Sequence, residues 1–330
     1  MTKNHRIRFF HYVESFLVVA VVLCSCSDDI PDDIDLREEM RDFVIGISEY
    51  AKAFDDSFMV IPQNGIELVS ANGESDGPVH THYLEAIVGH GQEDLFYGYD
   101  KDDKTSPAGD IAYLRSFLDV SMAQGNTILV TDYCSTHSKM DDSYSRNHAA
   151  GYVSFAADER ELDRIPAYPN PISGENDTEI QNLEDIQNFL YLINPGNFVT
   201  RADLIQAVTS TNYDLLIIDL FFNDNSEFSS EEIGRLNSKA NGGTRLVVAY
   251  MSIGEAEDYR YYWQDEWKKN PPSWLDGENP DWEGNFKVWY WEEEWQAIIS
   301  GSHESYLGKI LDAGFDGVYL DIIDAYEYYE

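Results

Sequence analysis

The chain has 330 residues, with 61 acidic against 22 basic side chains and a formal net charge of −39. Phosphate binding needs a positive surface, so this balance excludes nucleic acid as a partner. It suits a cationic substrate instead, such as a polymer carrying free amines, although acidic surfaces also simply keep secreted proteins soluble.

The first 26 residues read as an address. Lys3, Arg6 and Arg8 give a positive start, and Phe16 to Leu23 form an apolar core too short for a comfortable membrane span. Leu23-Cys24-Ser25-Cys26 then has the pattern of a lipobox, with small Ser25 before Cys26 as the residue to be lipidated. Cys24 is the weaker choice because bulky Leu23 occupies its cleavage position, and an ordinary secretory signal is the alternative. Residues 27–36 follow as an acidic, proline-containing tether that resembles the surface-export signal of Bacteroidetes lipoproteins. The protein is therefore expected at the cell envelope, anchored by lipid to the outer membrane and exposed on the surface. Cleavage removes three bases and Glu14, leaving 19 basic against 60 acidic residues and a net charge of −41. Besides Cys26 only Cys134 then remains, so no intrachain disulfide is expected.

Residues 37–330 are long enough for one large core. Apolar, β-branched runs predict eight strands: Phe58–Pro62, Ala86–Gly89, Thr127–Thr131, Gly151–Phe155, Phe189–Ile193, Leu215–Asp219, Leu246–Ser252 and Gly317–Asp321. Helical patterns fall between them at Glu38–Phe54, Ala108–Ala123, Thr200–Ser210, Ser230–Ala240 and Ser302–Ala313. Such alternation predicts βα units around a parallel sheet. Residues 159–186 break the rhythm with Pro166, Pro169, Pro171 and Gly174, and read as a long surface connection. His80 and His82 sit in a Gly/Ser/Asp-rich stretch and read as exposed loop histidines rather than a zinc pair.

Several strands end in carboxylates. Leu215 to Ile218 runs into Asp219, Leu246 to Ile253 into Gly254-Glu255-Ala256-Glu257-Asp258, and Val318 to Leu320 into Asp321, with Asp324 three residues on. Burying an unpaired carboxylate is costly, so an acid at the end of a buried strand points to use. Acidic residues at the carboxyl ends of successive strands are the pattern of a (β/α)8 TIM-barrel hydrolase, in a single domain. Tyr259 to Trp295 is dense in tyrosine and tryptophan; sugars stack their C–H faces on such rings, and such rings also pack among themselves.

Longer motifs carry a family resemblance. Tyr213 to Asp219, Ala249 to Arg260, Tyr290-Trp291 with Trp295-Gln296, and Gly314 to Tyr328 resemble glycoside hydrolase family 114. Val60-Ile61-Pro62-Gln63-Asn64-Gly65 and Glu93-Asp94-Leu95-Phe96-Tyr97-Gly98 resemble later strands of the same family. The resemblance covers roughly residues 38–165 and 187–330. That family includes endo-α-1,4-polygalactosaminidases with a TIM-barrel fold. The order departs from the family pattern, because the Pro-Gln-Asn-Gly group comes first here. The chain therefore resembles a circular permutant, with old termini joined through residues 159–186 and new termini opened after Tyr328. Two half-barrels completed by another copy are the alternative, which eight strands in one chain disfavour.

The resemblance implies an endo-acting hydrolase of α-1,4-linked galactosamine or N-acetylgalactosamine polysaccharide. A monomer is expected, and with no P-loop, dinucleotide fingerprint or metal cluster in the sequence, no cofactor or metal is expected. Asp321 matches the putative nucleophile or charge stabiliser, and Glu93 a glutamate suited to general acid/base work. Its aromatic surroundings suit a carboxyl kept protonated. Asp219, Glu255, Asp324, Tyr191, Tyr250, Gln63, Asn64 and Trp291 are expected to bind substrate, with Arg260 orienting Glu255 or Glu257. A non-catalytic surface glycan-binding lipoprotein, and a barrel hydrolase of another α-glycan, are the competing readings.

Overall fold

The computed structural model describes Ile30 and residues 34–330. The lipobox with Cys26, the signal segment and most of the acidic tether lie outside the described residues. None of the described helices is long and apolar enough to cross a membrane.

The chain opens with helix α1 (Leu36–Lys52), strand β1 (Met59–Pro62), helix α2 (Thr81–Ala86) and strand β2 (Gly89–Glu93). Next come α3 (Ala108–Ala123), β3 (Thr127–Tyr133), α4 (His137–Ala150), β4 (Val153–Ala157) and, after a long connection, β5 (Phe189–Leu192). Then α5 (Arg201–Thr209), β6 (Leu215–Asp219), α6 (Ser230–Leu236) and β7 (Leu246–Ser252) follow. Three short strands, β8 (Glu255–Glu257), β9 (Leu275–Glu278) and β10 (Asn285–Val288), precede α7 (Glu293–Ile299), α8 (Tyr306–Ala313) and β11 (Gly317–Asp321).

Two parallel sheets carry the core, one ordered β1-β11-β7-β6-β5 and the other β2-β3-β4. They meet at β1 and β2, where Val88 N–H donates to Val60 O at 3.1 Å and Asn64 N–H to Gly91 O at 2.9 Å. A parallel bridge pairs Gln63 with Gly91. At the other border β4 lies beside β5, with the Phe155 and Phe189 rings 5.7 Å apart. Helices cover the strands, most of which are apolar on both faces as parallel strands are, β2 being the exception. β8, β10 and β9 form a separate antiparallel sheet that grows from the carboxyl end of β7.

Local chemistry explains the boundaries. α1 starts where Asp35 accepts the Glu38 N–H at 3.1 Å. α5 and α6 open on capping boxes, Thr200 with Asp203 and Ser229 with Glu232. α8 is capped by Ser305 rather than Ser302, and ends at Gly314 with φ 78°. α6 stops at Leu236, short of the expected Ala240, because the chain turns there to let Arg245 N–H bond Asn237 O at 2.8 Å. The expected strand at Ala86–Gly89 is corrected to Gly89–Glu93.

The connection over residues 159–186 is pinned at several points. Leu162, Ile180, Leu183 and Ile186 are buried. Asn176 Nδ2 donates to Asp214 Oδ2 at 2.7 Å, and Lys239 Nζ bonds Asp214 Oδ1 at 2.8 Å with both charged side chains fully buried. The ends of the described chain also meet. Arg37 pairs with Glu330 at 2.7 Å, and Tyr290 donates to Leu36 O at 2.7 Å. α1 packs against β1, α8 and the turn at Ile323–Tyr328 that follows β11.

Candidate active site

Strands β1, β2 and β11 bring Gln63, Glu93 and Asp321 together at their carboxyl ends. Each of the three is followed by a non-glycine residue in the left-handed region: Asn64 at φ 60°, Asp94 at 58° and Ile322 at 58°. That conformation turns the backbone sharply as the strand ends. For β-branched Ile322 it is a true outlier, of the kind that collects at functional sites.

One amide joins the two carboxylates. Gln63 Nε2 donates to Glu93 Oε2 at 3.0 Å and to Asp321 Oδ1 at 2.9 Å. Laid end to end those bonds reach 5.9 Å, which is therefore the greatest separation of these two oxygens. Asp321 also accepts from Tyr250 Oη at 2.7 Å through Oδ2 and from Ile322 N–H at 2.9 Å through Oδ1. Glu93 accepts from Tyr133 Oη on Oε1 and from Asn64 Nδ2 at 3.4 Å on Oε2. Asn64 Oδ1 in turn accepts the Glu93 N–H at 3.1 Å, fixing the strand end.

Both carboxyls hold their protons more firmly than free acids do. Burial and then the Glu93 charge push Asp321 up to about 6, against the lowering effect of its Tyr250, Ile322 and Gln63 donors. Burial and then neighbouring Asp94 raise Glu93, against the lowering effect of Tyr133, Arg160 and Asn64. Two acids a few ångströms apart in a desolvated site cannot both ionise freely, so the pair retains one proton into a range where lone carboxyls are ionised.

The floor beneath the pair is aromatic. Tyr191 and Tyr319 meet edge to face at 5.3 Å, both buried. Tyr319 fits only because position 91 is glycine: a Cβ there would lie 2.0 Å from the Tyr319 hydroxyl oxygen. Asp324 sits on the turn after β11, and burial, then Glu327 and Asp321, push its carboxyl well above the usual range.

Other expected binding residues are placed differently. Asp219 is held by Arg260, whose Nη2 lies 2.7 Å from Oδ2. Arg260 also bonds Glu257 at 2.5 Å, so Glu257 and Asp219 are its partners and Glu255 is not. Glu255 is fully buried, accepting from Asn279 at 2.7 Å, Asn285 at 3.2 Å and Tyr328 Oη at 2.7 Å. It is thereby tied to Tyr328 and to the antiparallel sheet. Trp291 is half-buried in an aromatic group, nearly parallel to Trp289 at 5.8 Å and edge-on to Tyr329 at 5.2 Å. Tyr133 and Arg160 were not anticipated. Arg160 lies over the Tyr133 ring at 3.8 Å and pairs with Asp94 at 2.8 Å. The only sequence signal for Tyr133 was its place at the end of a strand, beside Asp132.

A pair of carboxyls bridged at the carboxyl ends of parallel strands, with aromatic side chains around them, places this α/β protein among those whose site is suited to acid/base chemistry. Residues 188–330 match the family model of glycoside-hydrolase family GH114, and that match supports glycoside hydrolase activity. Three relatives are each described as uncharacterized. A protein of Methanocaldococcus jannaschii is 41% identical over 167 residues, 48% of this chain and 46% of the relative. One of Deinococcus radiodurans is 42% identical over 123 residues, 37% of each chain. One of Thermotoga maritima is 40% identical over 129 residues, 39% of this chain and 38% of the relative. The chain thus spans less than half the length of these relatives.

Proposed function

We propose that this protein is an endo-acting glycoside hydrolase of α-1,4-linked galactosamine or N-acetylgalactosamine polysaccharide. The observation that carries the reading is the single Gln63 amide bridging Glu93 and Asp321. Asp321, which matches the nucleophile position of the family motif and accepts from Gln63, Tyr250 and the Ile322 N–H, is the nucleophile. Glu93, beside the Asp94 charge, keeps the proton and is the acid/base.

In the first step an Asp321 oxygen attacks the anomeric carbon while the glycosidic C–O bond breaks and Glu93 protonates the departing oxygen. In the second, Glu93 takes a proton from water, water oxygen bonds to the anomeric carbon, and the bond to Asp321 breaks. Carboxyl groups about 5–5.5 Å apart belong to retaining enzymes, and wider gaps to inverting ones. An oxygen separation of at most 5.9 Å favours retention, so the new reducing end keeps the α configuration.

The same reading extends to the fold. The eight parallel strands close into a circularly permuted (β/α)8 barrel forming one domain over residues 37–330, and residues 159–186 join its two halves. Three things support this: strands neighbour one another in chain order, β11 lies beside β1, and the family match begins at residue 188, just past the connection. The acidic net charge and the cluster of Asp321, Glu93 and Asp324 favour a partly deacetylated, cationic polymer. Lipidation at Cys26 puts a monomer on the cell surface.

The test incubates the protein lacking residues 1–26 with partly deacetylated poly-α-1,4-galactosamine, alongside Asp321→Asn and Glu93→Gln. Short oligomers from the parent protein and none from either variant are expected. Binding without cutting would favour a glycan-capturing lipoprotein, and neither binding nor cutting would overturn the substrate.

A further inference from the structure

The connecting segment contributes a side chain to the site. Arg160 is two residues into the stretch that reads as a linker, yet its guanidinium is largely buried, with 15% of the side chain exposed. Three contacts fix it. Nη2 and Nη1 bond the two oxygens of Asp94 at 2.8 and 3.2 Å, Nε bonds Asp102 at 2.7 Å, and Nη2 reaches Gly98 O at 3.3 Å. Its plane is thereby held over the Tyr133 ring at 3.8 Å, and Tyr133 donates its phenolic proton to Glu93.

A cation on the face of a phenol draws electron density from the ring and makes the hydroxyl a stronger donor. Resting on the assignment of Glu93 as acid/base above, we propose that Arg160 is a positioning residue that acts through Tyr133 to hold Glu93 in place and to set where it gives up its proton. The geometry carries this: a rigid planar fork, locked by two carboxylates, is aimed at the one ring that touches Glu93 Oε1. A role confined to fixing the loop would need the pairs to Asp94 and Asp102 but not the stack. Other groups also face Glu93. Asp94 adjoins it just after β2, Asp321 and Tyr319 come from β11 and Tyr191 from β5, while Gln63 and Asn64 after β1 are uncharged. Among these neighbours Arg160 supplies the positive charge, and its influence on Glu93 is to favour the ionised form.

Removing that charge makes Glu93 keep its proton to higher pH. In Arg160→Met the alkaline limb of kcat/KM should move up by about one pH unit, the low end of the effect of a close charge. Arg160→Met with Asp94→Asn is compared with Asp94→Asn alone, so that the raising effect of Asp94 is absent from both, and the limb of the double variant should lie above that of the single one. Arg160→Lys, which keeps a charge, should leave the limb near the parent's. In a Tyr133→Phe background the shift from Arg160→Met should shrink, because the path is cut. A fall in rate with an unmoved limb, or a full shift in the Tyr133→Phe background, would overturn the proposal. The second readout is direct titration of Glu93 by infrared difference spectroscopy of the protein without substrate, assigned with Glu93→Gln. If that titration moves in Arg160→Met although the parent protein cuts no polymer, the coupling stands and the hydrolase reading falls. If it does not move, the coupling falls whatever the activity.

Discussion

Tyr250→Phe tests the assignment of Asp321 most cleanly. The Tyr250 ring is buried on β7 and its hydroxyl gives Asp321 Oδ2 a hydrogen bond of 2.7 Å. The substitution deletes one oxygen and leaves the packing in place. A hydrogen bond to a charged group contributes about 1.5–3 kcal/mol, and one pKa unit corresponds to about 1.4 kcal/mol. Losing a donor to the charged form should therefore raise Asp321 by roughly one to two units. Burial has already raised the parent carboxyl, and the Glu93 charge raises it further wherever Glu93 is ionised. Asp321 must be ionised to attack, so activity is lost as pH falls through its pKa. The acidic limb of kcat/KM should accordingly move up by about one to two pH units, and the alkaline limb, assigned to Glu93, should move less. The assay is initial rates of polymer cleavage across that range. A variant slowed at every pH with its acidic limb unmoved would refute the reasoning, and would mean that the hydroxyl serves the substrate instead of Asp321.

Stability should carry the same signature. Asp321 and Asp94 are both raised to about 6 from 3.8, chiefly by burial. For an acid raised in the folded state the favourable contribution is complete below the unfolded pKa and is lost as pH rises through the folded one. Tm should thus fall between about pH 4 and 6, less steeply in Asp321→Asn; an unchanged slope in that variant would count against a raised Asp321. Lys239→Met leaves Asp214 buried with its amide donors but no directly bonded counter-charge, and should cost about 3–5 kcal/mol in urea unfolding. Adding Asp214→Asn should restore part of this, and a loss under about 1 kcal/mol for the single variant would show the pair is not what pins the connection. Gly91→Ala should cost about 1–3 kcal/mol by driving a methyl into Tyr319, whereas Tyr319→Phe, which removes a buried hydroxyl with no partner among the described residues, should leave stability within about 1 kcal/mol.

Strands that bury apolar side chains on both faces were legible in the sequence: β1, β3, β5, β6, β7 and β11 lie where runs of Val, Ile and Leu predict them. β2 was not, because Gly89-His90-Gly91-Gln92-Glu93 has no such run. Its two glycines leave room that Leu183 and Tyr319 fill from distant parts of the chain, which no local pattern can signal. α4 was missed for a related reason. Its buried side chains are Met140, Ser143 and Asn147, and the last two bond the buried carboxylate of Asp132, so the helix face that packs is polar. The antiparallel strands β8 to β10 were hidden by acids, buried in β8 and exposed in β9, and by the density of aromatic residues around them. Within the site, Asp321 stood out as a carboxylate closing an apolar strand, and Glu93 was recognisable through a motif. Their bridge by Gln63 was not readable, since hydrogen bonding across 258 residues depends on strand register that only the fold sets.

That register also divides the site between two parts of the chain. Asp321 and Tyr250 lie within the residues that match the family, 188–330, while Gln63, Glu93, Tyr133 and Arg160 all precede them. The matched segment alone holds Asp321 with its Tyr250 phenolic donor, and neither the Gln63 amide nor Glu93. The preceding segment holds the opposite: a glutamate already gripped by Tyr133 and Asn64, and an amide whose other acceptor is missing. Pairing of β1 with β11, in the register Pro62 to Leu320, brings Gln63 level with Asp321 and makes one acid/base centre of the two. Chemistry at this centre therefore depends on the β1–β11 border as much as on any one residue, and a change that slips that register by even one position would separate the carboxylates while leaving every strand intact.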